Sequence, residues 1–165
     1  MSTNVKFKGN EIYLIGETLG VGEFAPYSLV VTKDLKEITI GGKSDKRQLV
    51  ITVPSLDTGV CEKETKTFNE ELKNYSNVNV TVVSMDLPFA QKRFCDSFHI
   101  SNLTVASDYR YKDMEKWGVV IAEGPLKGCL ARIVFIIEMD GKVSYRQIVP
   151  EIGQEPDYQD VLKHL

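Results

Sequence analysis

Apolar and polar positions fall into segments short enough to be strands, interrupted by stretches with helical spacing. Residues 5–8 and 11–15 alternate around Gly9-Asn10, a turn dipeptide, and predict a hairpin over about residues 5–16. Residues 20–26 carry two glycines and a proline and predict an irregular loop. Residues 28–32 and 37–40 are short strand-like runs. Residues 49–53 form a compact run rich in β-branched side chains, which predicts a buried central strand stopped by Pro54.

Beyond the loop at 55–59 the period changes. Cys61, Thr65, Phe68 and Leu72 recur on one face of a helix, with Glu62 and Glu64 in its first turn, where carboxylates complement the helix dipole. Residues 78–84 read as the next strand. Strand, helix, strand implies a parallel unit with a right-handed crossover. Pro88 suits the first position of a second helix carrying Phe89, Ala90, Phe94 and Cys95. Residues 103–106 are a third parallel candidate, and 111–117 a short helix ended by Gly118. Residues 132–138 and 142–149 are strands joined by Asp140-Gly141, a strong hairpin signal. Pro156 leads a terminal helix over 157–165. This order predicts a thioredoxin-like α/β fold, with a central mixed sheet flanked by helices and an N-terminal β-hairpin, in a single domain over residues 1–165.

Composition narrows the function classes. With 165 residues, 42% hydrophobic and 26% charged, the chain can bury a core without disulfide or metal staples. Twenty basic against 23 acidic residues give a formal charge of −3, which offers no general attraction to nucleic acid or anionic membrane. The apolar run 133–137 is far short of a membrane span. The first residues lack the apolar core of an export signal, and the three cysteines are an odd count; a cytoplasmic setting is expected. His99 and His164 have no Cys, Asp or Glu at ligand spacing, so no metal site is expected. Gly41-Gly42-Lys43-Ser44 lacks the spacing of a phosphate loop and reads as a turn. Phe89, Phe94, Tyr109, Tyr111 and Trp117 read as core or dimer-contact residues.

The chemistry concentrates at Pro54-Ser55-Leu56-Asp57-Thr58-Gly59-Val60-Cys61. This puts a thiol in the first turn of a helix that follows a central strand, at the strand's carboxyl end, where sites lie in open α/β sheets. Unpaired N–H groups and the dipole favour an anion there. A thiol so placed should ionise below its reference value of about 8.5, and the thiolate is the reactive form. Thr58, three residues earlier, can fold its hydroxyl towards the sulfur and towards an oxygen ligand. The competing reading of a lone cysteine is a small buried hydrophobe. A second cysteine, Cys95, in the next helix weighs against that reading. The absence of a C-x-x-C pair argues against a thioredoxin-type dithiol site.

Pro54-x-x-x-Thr58-x-x-Cys61 resembles the active-site pattern of peroxiredoxins, and the surrounding stretches resemble the bacterial thiol peroxidases, their atypical two-cysteine branch. The matching segments include 54–61, 68–71, 84–95, 119–128, 130–132 and 155–158, spread from about Val21 to the C-terminus. The resemblance implies that Cys61 attacks the peroxide. Thr58 would hydrogen-bond thiolate and peroxide, and Pro54 would shield the pocket from water. Arg132 would arrive from a distant strand to polarise the oxygens, and Cys95 would resolve the oxidised Cys61 as an intramolecular Cys61–Cys95 disulfide. It implies hydrogen peroxide and organic hydroperoxides as substrates, thioredoxin as reductant, a homodimer, and no metal, haem or flavin cofactor.

From position alone, an arginine at a strand start reads more often as a surface charge or ion-pair partner than as a functional residue, but Ala131 before it and the apolar run 133–137 after it suggest that it points against a core face. The chain departs from the family pattern at residues 96–99, where bulkier residues stand in a stretch that is usually small and contains glycine. It also departs at Glu23, usually aspartate, and at Cys129, usually apolar, which reads as a core cysteine or a spare thiol. A thiol–disulfide exchanger, and a redox-sensing or chaperone-like binding protein without turnover, are the alternative functions on the same fold.

Overall fold

A computed structural model describes residues 2–165. Strands β1 (Asn4–Phe7) and β2 (Asn10–Tyr13) pair antiparallel, with Phe7 opposite Asn10. Lys8 and Gly9 turn between them with φ of 51° and 81°, the positive values that a two-residue hairpin turn requires. The chain continues through β3 (Ser28–Thr32), β4 (Glu37–Ile40), β5 (Arg47–Thr52), α1 (Gly59–Glu71), β6 (Val78–Ser84), α2 (Pro88–Phe98) and β7 (Thr104–Ser107). A 3-10 helix (Asp113–Trp117), β8 (Ile133–Ile137), β9 (Val143–Ile148) and α3 (Tyr158–Lys163) complete it.

Seven strands form one mixed sheet in the order β4-β3-β7-β6-β5-β8-β9. β5, β6 and β7 run parallel, whereas β3 and β8 pair antiparallel with β7 and β5. The sheet is covered on both faces, which explains the unbroken apolar runs. Leu49 and Ile51 of β5 and Val134 and Ile136 of β8 pack with Phe68 of α1 and Leu72 just past its end, Phe94 of α2 and Val161 of α3. The alternate residues Val50, Ile133, Phe135 and Ile137 pack on the opposite side with Val5 and Ile12 of the hairpin and with Met114 and Trp117. The register places the site. Thr52 pairs with Ile133, so residue 132 lies at the end of β5 from which the chain enters α1.

Local differences from the sequence reading have local causes. The 3-10 helix begins at Asp113 rather than 111 because Lys112 takes a left-handed conformation, φ 54°. Gly118 closes it with φ 69°, and a Cβ there would lie 2.2 Å from the Glu17 carbonyl oxygen. α3 is shorter than expected because Asp157 caps it, its Oδ1 accepting from the Asp160 amide at 3.1 Å. On α2, Phe89 and Ala90 are exposed while Gln91 is buried. The Gln91 side chain satisfies itself there by donating from Nε2 to Ser84 Oγ at 3.0 Å and to the Ala106 carbonyl at 2.8 Å. Among the described residues no helix is long and apolar enough to cross a membrane.

Candidate active site

Thr58 is the N-cap of α1, with extended backbone (φ −115°, ψ 149°), and Cys61 is the third residue of the helix. The first four amides of any helix lack an intrahelical acceptor, and the cap satisfies one of them here. Thr58 Oγ1 accepts from the Cys61 amide at 3.4 Å and donates to the Ser55 carbonyl at 3.1 Å. The hydroxyl proton therefore points into the loop, rather than to sulfur as the sequence suggested. Thr58 itself is exposed, whereas Cys61 is fully buried. Pro54 is buried at the base of the same loop.

Arg132, immediately before β8, meets Cys61 across the sheet end. Its Nη1 donates to Cys61 Sγ at 3.2 Å and to Glu64 Oε2 at 2.5 Å. Its Nε and Nη2 both donate to the Ile152 carbonyl, at 3.0 and 2.8 Å. The guanidinium fork is thus fixed from two sides, which a lysine could not reproduce. At 2% exposure an unpaired guanidinium would be strongly destabilising, so its partners are part of the design of the site. Of the readings open for Arg132 in the sequence, the surface charge is excluded; it is a buried ion-pair partner in contact with the thiol.

Glu64 is the site residue that the sequence reading missed. It lies three residues after Cys61, hence on the same helix face, and is fully buried. Its Oε1 has no hydrogen-bond partner among the described residues. Burial pushes its carboxyl up to about 7, against the lowering pull of Arg132. Glu64 and Cys61 draw on the same guanidinium from one buried helix face. The available signal was its place on the Cys61–Phe68 face; reading it only as a first-turn carboxylate that complements the helix dipole overlooked that.

Cys95 is buried on α2 in the same apolar cluster as Cys61, and both are free thiols. Burial raises the Cys95 thiol above its ordinary value, with Lys33 opposing the shift. Cys129 is half-buried against the opposite core, consistent with the core reading. Its thiol is also raised, first by burial and then by negative charge at Asp86 and Cys61. Residues 96–98 continue α2. Phe98 packs on Phe94 with ring centroids 5.0 Å apart, and Lys66 sits 4.8 Å from the Phe98 ring centroid. These contacts tie the segment that follows Cys95 to the rest of α2 and to α1.

Two clefts reach this region. One, of about 580 Å³, runs between Ser55, Leu56, Asp57 and Glu62 on one wall and Asp86, Ala90, Arg93, Phe94, Ser97 and Phe98 on the other. A second, of about 560 Å³, is bounded by Thr58, Gly59, Val60 and Lys63 and by Gly153, Gln154 and Glu155.

A thiol at a helix N-terminus, touched by a buried arginine on a thioredoxin-like sheet, defines a class. The chain belongs to the Redoxin family, whose model matches residues 20–162. It is 62% identical to the thiol peroxidase of Aquifex aeolicus over 162 residues, covering 98% of this chain and 96% of the relative. It is 49% identical to the thiol peroxidase of Campylobacter jejuni, over 93% of this chain and 87% of that one. A crystal structure of a peroxiredoxin-like protein from Aquifex aeolicus superposes with a TM-score of 0.97 at 60% identity, covering 99% and 96% of the two chains. A thiol peroxidase from Chromobacterium violaceum shares the fold, with a TM-score of 0.85 at 20% identity over 98% of this chain and 94% of the other. These relatives place the chain among the peroxiredoxin-type thiol peroxidases.

Proposed function

We propose that the chain reduces hydroperoxides at Cys61 and is returned to the dithiol state through Cys95 by thioredoxin or a similar dithiol protein. The observation that carries this reading is the 3.2 Å contact between Arg132 Nη1 and Cys61 Sγ. A fixed cation beside the sulfur meets the charge that develops as the oxygen–oxygen bond breaks.

The Cys61 thiolate attacks the terminal oxygen of R–O–OH in line with the O–O bond. The S–O bond forms, the O–O bond breaks, and the electron pair leaves on RO−, which takes up a proton to give the alcohol or water. Cys61 becomes a sulfenic acid. Arg132 steadies the oxygens, and the N–H groups of the first helical turn add oriented dipoles. Thr58 holds that turn and presents a hydroxyl at its mouth, and Pro54 limits water at the sulfur. The Cys95 thiolate then attacks the Cys61 sulfur. An S–S bond forms, and hydroxide leaves and is protonated to water. A dithiol reductant restores both thiols by exchange. Three free cysteines suit a reducing cytoplasm. The exposed Leu87 and Phe89 at the start of α2 suit contact with a second copy in a homodimer.

The test is NADPH consumption coupled through thioredoxin reductase and thioredoxin, with cumene hydroperoxide as oxidant. Cys61→Ser abolishes turnover. Cys95→Ser keeps one round of peroxide reduction but loses recycling. Full recycling by Cys95→Ser would remove Cys95 from the mechanism, and turnover by Cys61→Ser would sink the reading.

A further inference from the structure

The cleft between the two cysteine-bearing helices is bridged by one carboxylate that the chemistry above does not use. Asp86, in the turn between β6 and α2, accepts from Ser55 Oγ at 2.7 Å through Oδ1 and from the Leu56 amide at 2.8 Å through Oδ2. The same Oδ2 accepts from Ser84 Oγ at 2.7 Å. Ser84 Oγ in turn accepts from Gln91 Nε2 of α2 at 3.0 Å. On the other side Ser55 offers its carbonyl to the Thr58 hydroxyl at 3.1 Å, and Thr58 accepts from the Cys61 amide. A continuous chain of hydrogen bonds therefore runs from the base of α2, through Asp86, to the N-cap of the helix that carries Cys61. Bonds to an ionised acceptor are the stronger kind, and this carboxylate accepts three of them.

Disulfide geometry needs Cα atoms within about 7 Å and a directed approach of the two sulfurs. Cys61 is buried, capped by Thr58 and held by Arg132, a setting suited to meeting peroxide rather than a thiol on α2. On the reading that Cys95 resolves Cys61, release of the loop at 55–58 would free the buried sulfur to turn towards α2 between the two steps. We propose that Asp86 is the positioning residue that latches this loop, holding Cys61 in its peroxide-reactive seat and setting how readily it is released to Cys95. Oxidised Cys61 has two fates. Release leads to the disulfide, whereas retention exposes the sulfenic acid to a second peroxide and to sulfinic acid. A latch residue shifts the ratio of these products, which a residue serving stability alone does not.

Asp86→Asn keeps the shape but removes the charge and one acceptor oxygen, and Ser55→Ala removes one arm of the latch. Intact-mass analysis after a peroxide pulse follows disulfide against sulfinic acid. Amide hydrogen exchange in the reduced protein follows residues 56–62. Asp86→Asn is expected to speed disulfide formation about tenfold, to lower the sulfinic fraction at a given peroxide dose, and to speed exchange at 56–62 by a similar factor. Ser55→Ala should move all three in the same direction by less, and it keeps the test intact if Asp86→Asn does not fold. An unchanged product ratio with unchanged exchange at 56–62 overturns the latch. If the unsubstituted protein forms no Cys61–Cys95 disulfide, the resolving role of Cys95 falls; the exchange rates still decide whether Asp86 holds the loop.

Discussion

Cys61 and Glu64 share a single donor atom, since Arg132 Nη1 lies 3.2 Å from the sulfur and 2.5 Å from the carboxylate. The two residues stand one helical turn apart on the same buried face, so whatever charge one carries is felt by the other. Glu64 is raised from 4.5 to about 7 by burial. A carboxyl that holds its proton more tightly when folded supports stability below its unfolded value and loses that support as pH rises through its folded value. Stability should therefore decline between about pH 4.5 and pH 7 on account of this group. Glu64→Gln should flatten that decline, as read from urea unfolding across a pH series. An undiminished slope in the variant would show that the carboxyl titrates normally.

Arg132→Lys tests whether charge alone suffices. A lysine keeps the cation but forfeits the fork that spans Cys61, Glu64 and the Ile152 carbonyl. The second-order rate with cumene hydroperoxide should fall by about 10²-fold, the scale of losing a pre-oriented donor at a developing anion. Circular dichroism checks that the fold survives. A rate within threefold of the unsubstituted protein would make the fork dispensable.

What the sequence disclosed, and what it did not, follows from the range of the interactions. β3, β4 and β6 were legible to the residue because turn residues bound their apolar runs. The face Cys61, Thr65, Phe68 and Leu72 was legible from spacing alone and is buried throughout. The partnership of Glu64 with Arg132 was not, because it depends on the antiparallel register of β5 and β8, a contact between residues 68 positions apart. Nor was the direction of the Thr58 hydroxyl, which is decided by the loop carbonyl of Ser55. Phe89 shows the opposite limit. Its apolar character marks it for the core or for a dimer contact, and it sits 69% exposed, outside this chain's core, because Gln91 takes the inward position of that turn.

Thr58 caps the helix from the side, and the cap is separable from any contact with peroxide. Thr58→Val removes the acceptor for the Cys61 amide and should lower stability by about 1 kcal/mol. Single-turnover peroxide reduction should slow as well, because the first turn that presents the sulfur frays. Thr58→Ser keeps the oxygen and should restore both. Thermal unfolding and stopped-flow oxidation measure the two effects side by side. A Thr58→Val protein with unchanged midpoint would mean that the 3.4 Å contact contributes nothing in solution.

The far end of α2 carries a local strain beside Cys95. His99 closes the helix with φ 54°, and its amide donates to the Cys95 carbonyl, as does the Ile100 amide at 3.0 Å. A side chain in this left-handed conformation costs about 1 kcal/mol that glycine avoids. His99→Gly should therefore raise the thermal midpoint by stabilising the helix end. If leaving α2 is part of delivering Cys95 to Cys61, the same substitution should slow disulfide formation, since the closed helix becomes harder to open. Differential scanning calorimetry reads the first effect and quenched mass analysis the second. A raised midpoint with an unaltered rate would assign the opening to α1 alone, leaving the Cys95 segment as a fixed target for a mobile Cys61.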